Sequence, residues 1–411
     1  MTTGELPVLL YGRCDVTEGA SAGAAIAERL SRRDIVLPGR AWDLLSIALS
    51  VAVADAAIAR CTSPDGWTRE LELIVGVHEP EFWNGQRELI ASMLQFLTTD
   101  IWDLNFVAGS FRPRARRKRR VHLEESVMLL SGGMDSLIGA LDLVAQGHKP
   151  LAVSQTVLGD GEKQIAFARE IADGLTHLQL NHNVEVPGNA ERSQRARSFI
   201  FLTYGAIAAT TLRTVHSGAT VPLYVCENGL IAINPPLTDA RIGSLSTRTA
   251  HPTYLAKFQH LLSNAGIPVA IANPYQFRTK GEMLVECRSQ DYLRARAHHA
   301  TSCGRFGRHG MRHCGRCVPC LIRRAAFRRW RRRDMTDYVF ANLGLRDGDH
   351  AGFDDVRSTA MAIAMMRADG VDAVLGTSLV SGAIDDATPY RDVVQRGLTE
   401  VARFLSGVGV R

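Results

Sequence analysis

The chain has 411 residues, 46% hydrophobic and 22% charged, a balance that excludes a disordered or fibrous protein and a length that exceeds one ordinary hydrophobic core. No run approaches the roughly 20 apolar residues that a membrane-spanning helix needs, and the opening residues lack a basic stretch followed by an apolar one, so a cytoplasmic protein without a membrane partner is expected. The net charge of +6 is concentrated in segments 112–120 and 323–333, and four of the eight cysteines cluster from Cys303 to Cys320, which in a cytosolic chain favours a metal over disulfides.

Residues 1–120 read as an α+β unit with strands at 7–11 and 70–77, a helix at 88–97 and a basic linker. That linker is either a solvated loop or a grip on RNA or an acidic partner. From residue 121 to 335, short apolar runs alternate with longer amphipathic stretches, the pattern of a parallel sheet covered by helices. Strands are predicted at 127–130, 150–155, 183–186, 223–226 and 268–272, and helices at 136–146, 162–178, 195–215 and 253–265. Residues 336–411 form a helical extension, with helices at 354–366 and 392–405. No internal repeat is present.

One local pattern carries chemistry. Ser131-Gly132-Gly133-Met134-Asp135-Ser136 follows a buried strand and opens a helix. Free backbone N–H groups and the positive end of the helix dipole meet there, a natural seat for phosphate. The glycines allow close backbone approach, the hydroxyls of Ser131 and Ser136 add donors, and Asp135 is expected to cap the helix and help place Mg²⁺. Neither the Walker loop nor the dinucleotide fingerprint is present. The six residues match the PP-loop, S-G-G-x-D-S, a resemblance that implies cleavage of ATP between its α and β phosphates with release of pyrophosphate.

Cys303, Cys314, Cys317 and Cys320 give the spacing C-x10-C-x2-C-x2-C. Four thiolates complete a tetrahedron around Zn²⁺ and leave no open position, so the site is expected to be structural. His309 and His313 are nearby alternative ligands, and a redox pair is the competing reading of Cys317 and Cys320. The following arginine-rich helix, 321–330, either packs Leu321, Ala325 and Trp330 beneath solvated arginines or contacts phosphate.

A PP-loop followed about 170 residues later by this cysteine pattern resembles QueC, the 7-cyano-7-deazaguanine synthase, over residues 125–335. The resemblance implies a HUP-type parallel sheet, with ATP, Mg²⁺ and Zn²⁺ as cofactors. It also implies an ATP-dependent ligase that adenylates a 7-deazapurine carboxylate, or a related acid, for amide or nitrile formation. The stretch Ser244 to Pro252 departs from the family's substrate segment, and the N-terminal unit and helical extension have no counterpart in the compact synthases. With those additions, and with the runs Glu227 to Leu237 and Asn273 to Glu282, the chain is more similar to the QatC family, the QueC-like component of an anti-phage defence system. Other proteins of such a system are then expected partners, one of them offering the accepting amine.

The implied substrate residues are Arg197, Glu227, Asn228 and Arg248, and Lys280 matches a family lysine placed to neutralise departing pyrophosphate. Lys280 also reads as a surface lysine at a helix start, and Arg248, Thr249 and His251 as a structural loop. Three other readings stand beside the leading one: the synthase of queuosine biosynthesis itself, a tRNA-modifying enzyme with Cys226 as a candidate thiol, and a nucleotide-sensing scaffold without turnover.

Overall fold

The computed structural model describes residues 5–111, 119–237, 248–343, 354–380 and 383–410. Most of the basic linker and residues 244–247 of the altered substrate segment lie outside them. Among the described residues no helix is long and apolar enough to cross a membrane.

Two small parallel pairs open the chain. Strands β1 (Val8–Gly12) and β2 (Ala20–Gly23) pair beside helices α1 (Ala24–Arg32) and α2 (Gly39–Ala57). Strand β3 (Glu70–Val77) pairs in parallel with β4 (Ile101–Ala108), the crossover running through α3 (Pro80–Gly85) and α4 (Arg87–Thr98). In β3, Leu71, Leu73, Val75 and Val77 are buried while Glu70, Glu72 and Ile74 face solvent, the alternation of a sheet with one wet face.

The second unit is a five-stranded, wholly parallel sheet in the order β7-β6-β5-β8-β9. Its members are β5 (Ser126–Leu129), β6 (Pro150–Gln155), β7 (His177–Leu180), β8 (Val221–Tyr224) and β9 (Val269–Ala272). Strands β5 and β6 are buried along their whole length, as expected where helices cover both faces. Helices α5 (Met134–Ala145), α6 (Gly161–Glu170), α7 (Arg197–Ala209), α8 (Arg213–His216), α9 (Gly229–Ile233) and α10 (Pro252–Asn264) connect the strands. The chain winds outward from β5 to β7 and then returns to place β8 on the other side of β5. That reversal opens a crevice at the carboxyl ends of β5 and β8, where ligands bind in such sheets.

Three expected elements are corrected. The strand expected at 183–186 is β7, six residues earlier in the chain, and the helix expected over 162–178 stops at Glu170. Ala172 at φ 52° and Gly174 at φ 96° take the chain through left-handed conformations that no helix continues. The helix expected over 195–215 breaks into α7 and α8, because the hydroxyls of Thr210 and Thr211 bond back to Ile207 O and Ala208 O and compete with the helical ladder.

The N-terminal unit shares its core with the sheet. Leu44, Leu45 and Val51 of α2 belong to one apolar cluster with Phe199 and Leu202 of α7 and Val127, Leu151 and Leu223 of the strands. The closing region holds α11 (Lys280–Glu286), α12 (Gln290–Arg296), α13 (Val318–Trp330), α14 (Asp354–Asp369), α15 (Val371–Leu375) and α16 (Thr388–Gly407). Val394, Leu398 and Val401 of α16 bury against Leu230 of α9 and Leu321 and Ile322 of α13.

Candidate phosphate-binding and zinc sites

Beyond β5 the chain turns at Gly132, whose φ of 85° suits a residue without a side chain. A Cβ there would lie 3.4 Å from Asp160 Cβ and from Gln164 Cγ, so α6 closes over the turn. The N-cap of α5 is Gly133, not Asp135. Ser131 Oγ accepts the Gly133 N–H at 3.2 Å and lies 3.0 Å from Ser136 Oγ, and Ser136 Oγ donates to Gly133 O at 3.0 Å. The two hydroxyls therefore sit side by side at the mouth of the helix.

A second wall supports this loop. Gln164 Nε2 donates to Ser131 O and to Gln155 O, each at 3.0 Å. Thr301 N–H donates to Gly132 O at 3.0 Å. The Thr301 hydroxyl donates to Asp160 Oδ1 and accepts from Lys163 Nζ, both at 2.6 Å. Gln164, Lys163, Asp160 and Thr301 were not among the residues singled out in the sequence. Asp160, Lys163 and Gln164 lie in the run that opens α6, past the predicted strand at 150–155, whereas Thr301 carries no local signal.

Behind the loop, Asp135 faces inward from the first turn of α5. Its Oδ1 pairs with Lys280 Nζ, and its Oδ2 accepts the Asn228 N–H at 3.1 Å and Nδ2 at 2.6 Å. Burial acts to raise the Asp135 carboxyl, but the Lys280 ammonium and bonds from Glu227, Lys280 and Asn228 outweigh it and hold the group down at about 2. Glu227 moves the other way. Burial, the adjacent Asp135 charge and a hydrogen bond to Asp135 push it well above the usual carboxylate range. One proton is thus retained beside an ionised carboxylate.

Each partner is fixed by its element. Asn228 caps α9 by accepting the Ile231 N–H at 3.2 Å. Asn273 Nδ2 donates to Glu227 O at 2.9 Å and Asn273 Oδ1 accepts the Glu227 N–H at 3.3 Å, which joins the two runs noted in the sequence. Lys280 starts α11 behind a capping box: Thr279 Oγ1 accepts the Glu282 N–H at 3.1 Å and Glu282 Oε2 accepts the Thr279 N–H at 2.9 Å. Lys280 is only 6% exposed, which removes its reading as a surface lysine. Glu400 of α16 takes the Thr279 hydroxyl at 2.5 Å and pairs with Arg329 at 3.2 Å, so the C-terminal helix braces the start of α11.

Cys226 is buried against Gly139, where any Cβ would overlap its sulfur. Burial, with Asp135, Asp142 and Glu227 nearby, pushes its thiol far up, the wrong direction for a nucleophilic thiolate.

The four clustered cysteines converge, their sulfurs all within 4.8 Å of one another. Cys303–Cys317 and Cys314–Cys320 are each 3.9 Å apart, close to the ~3.8 Å edge of a tetrahedron with ~2.3 Å zinc–sulfur bonds. Backbone N–H groups of Arg305 and Cys314 donate to Cys303 Sγ, and those of Arg316 and Cys317 to Cys314 Sγ, which suits thiolates. These residues fit zinc, and Thr301, two positions before Cys303, ties the centre to the phosphate loop. His313 is not a ligand here: its Nε2 accepts the Ser302 N–H at 3.1 Å.

The remaining expected residues lie elsewhere. Arg197, at the first position of α7, is exposed and within electrostatic reach of Asp160 and His182. Arg248 stacks 4.2 Å above the Phe96 ring and donates to Phe96 O at 3.2 Å, away from the Asp135 cluster. His251 caps α10 and bonds Ser378 O at 2.8 Å. On α13, Arg323 is buried, donating to Ala300 O at 2.7 Å and Ala297 O at 2.8 Å, so the arginines there are not all solvated.

A parallel sheet with a glycine turn at its switch point and a four-cysteine cluster that could bind zinc define the α/β architecture of this protein. Residues 249–331 match the family model of the queuosine biosynthesis protein QueC. That span takes in Lys280 and all four clustered cysteines, and it stops short of the phosphate loop. The match supports a QueC-like domain and, with it, an ATP-using PP-loop enzyme of the synthase or ligase kind. No curated protein matches the chain.

Proposed function

We propose that this protein is a QueC-like, ATP-dependent ligase of an anti-phage defence system, similar to QatC, that adenylates a 7-carboxy-7-deazaguanine-type acid. A carboxylate oxygen attacks the α-phosphorus of ATP, and the α–β bridge breaks to release pyrophosphate. An amine then attacks the acyl carbon, AMP leaves, and an amide forms. The amine is ammonia or an amino group of a partner protein, and dehydration of an ammonia-derived amide gives the nitrile.

In this reading Ser131, Gly132, Gly133 and Ser136 hold the phosphates, and Lys280 neutralises charge as pyrophosphate departs. Asp135 aligns Lys280 and contributes to a Mg²⁺ site with the nucleotide. Asn228 and the protonated Glu227 face the acid, with Arg197 at the rim of the crevice. Arg248 is a lesser candidate because Phe96 occupies its guanidinium. The observation that supports the reading best is the meeting of Asp135, Lys280, Asn228 and Glu227 directly behind the serine pair, since a carboxylate is a poor electrophile until its oxygen joins a leaving group stabilised by such charges.

The test is an AMP and pyrophosphate release assay with 7-carboxy-7-deazaguanine, with and without candidate partner proteins, followed by mass spectrometry of those proteins. Ser136→Ala and Asp135→Ala are each expected to abolish release. Unchanged release in both would show the phosphate loop to be misassigned, and one deazapurine product regardless of partners would remove the case for protein modification.

A further inference from the structure

At the outer edge of the large sheet, two adjacent cavities of about 310 and 370 Å³ lie between α1, α6 and β7 and share Arg29, Arg33 and Gln179 as lining residues. Arg32 lines the first and Arg169 the second, so four arginines line the pair. The one lining carboxylate, Glu28, is taken by Arg32 at 2.6 Å. Arg33 Nη1 donates to His177 O at 2.8 Å, which fixes its guanidinium in the wall. Burial, with the nearby charges of Arg29 and Arg120, pushes Arg33 below its ordinary value. The carboxyl ends of α1 and α6 offset part of this charge, but Arg29 and Arg169 have no acidic partner among the described residues.

We propose that this cleft binds a phosphate-bearing ligand of nucleotide size, at a site separate from the phosphate loop. The loop follows β5, whereas the cleft lies along β7, with β6 between them, so the two strands are about 10 Å apart. Each cavity falls within the ~300–1,000 Å³ range of small-molecule sites. Planar guanidiniums match phosphate oxygens in paired hydrogen bonds. Thr156 and Asn181, just past the ends of β6 and β7, add polar groups on the side of the sheet that carries ligands. Neither cavity is lined by Phe, Tyr or Trp, and the one imidazole, His177, is tied to Ser154 Oγ at 2.8 Å, so the large stacking platforms on which single-stranded nucleic acid binds are missing.

The experiment is calorimetric titration of the full chain with inorganic tripolyphosphate. Wild type is expected to show two binding events. Arg29→Ala combined with Arg169→Ala weakens one of them by about tenfold or more, and leaves the other event and AMP release unchanged. Ser131→Ala combined with Ser136→Ala removes the other event alone. A single event that survives the arginine changes would overturn the proposal. So would arginine-dependent binding of a 20-nucleotide RNA by a protein whose tripolyphosphate binding does not respond to the arginines. Because binding is the readout, failure of the ligase reading leaves this test intact.

Discussion

Two buried clusters of charge in this protein are built on opposite terms. At the seam between the N-terminal unit and α7, Arg60 and Arg69 face Asp55 and Asp100. Arg60 grips Asp100 at 2.7 and 2.9 Å, Arg69 reaches Asp100 at 2.7 Å and Asp55 at 2.5 Å, and the Ala196 N–H takes the other Asp55 oxygen at 2.7 Å. Two cations meet two anions in direct contact, and Arg195 and Glu191 stand beside them as a third cation and anion, so the charges balance. Behind the phosphate loop, two carboxyls meet one ammonium, and the imbalance is relieved by holding Glu227 protonated. A balanced cluster fixes a seam, whereas an unbalanced one keeps a proton and a cation ready for a ligand that brings its own charge.

The sharpest way to break this comparison is Asp100→Ala, which strands two buried guanidiniums. A loss of roughly 3–5 kcal/mol is expected in urea denaturation; a loss below about 1 kcal/mol would show that solvent already reaches the cluster and that it is not closed. Next in size is Glu400→Ala, which unties the start of α11, at Thr279 and Gly281, and Arg329 of α13 from α16. Stability should fall by about 1–3 kcal/mol, and AMP release should fall with it in kcat more than in KM, because Lys280 loses its alignment without loss of the phosphate loop. Equal effects on every kinetic constant would reduce Glu400 to a packing residue.

Glu227→Gln carries the comparison in the reverse direction. A group whose folded-state value is raised contributes stability below its unfolded value, and that contribution is lost as pH rises through the folded one. The neutral amide removes that loss, so the variant should melt higher than wild type at alkaline pH by an amount worth about 1 kcal/mol, with reduced AMP release. A lower melting temperature would contradict the raised Glu227. The smallest effect is expected in acid. Asp135 is held at about 2, so its share of stability is present above the unfolded carboxylate value and disappears only as pH falls through about 2. In a Glu227→Gln background, which removes the titration that the Asp135 charge itself raises, Asp135 and Asp135→Asn should then show a constant stability gap from pH 7 to 5, measured by thermal melts, and a gap that closes before pH 5 would place the carboxyl higher.

Legibility in the sequence followed distance along the chain. The Ser131–Ser136 turn occupies six consecutive residues, and its strand, turn and helix start are local, so its geometry could be read before folding. The last three cysteines likewise lie within seven residues. Strand β7 was misplaced because the left-handed turns at Ala172 and Gly174 leave no mark in hydrophobic periodicity. The edge of the crevice was half legible: Glu227 and Asn228 were picked out by their place after a strand, while Gln164 and Thr301 look like ordinary helix and loop residues until they close on Gly132.

The sequence by itself determined an α/β protein with a glycine turn at a helix start and a four-cysteine cluster that could hold zinc, since capping, glycine freedom and thiolate spacing act between near neighbours. Only the tertiary structure decided that Lys280, 145 residues from Asp135, and Asn228, 93 residues from it, share one carboxylate. It also decided that Glu227 keeps its proton and that Glu400 of the final helix supports Lys280. Those properties depend on burial and on Coulomb forces across strands that meet only when the sheet assembles, and no local pattern encodes them.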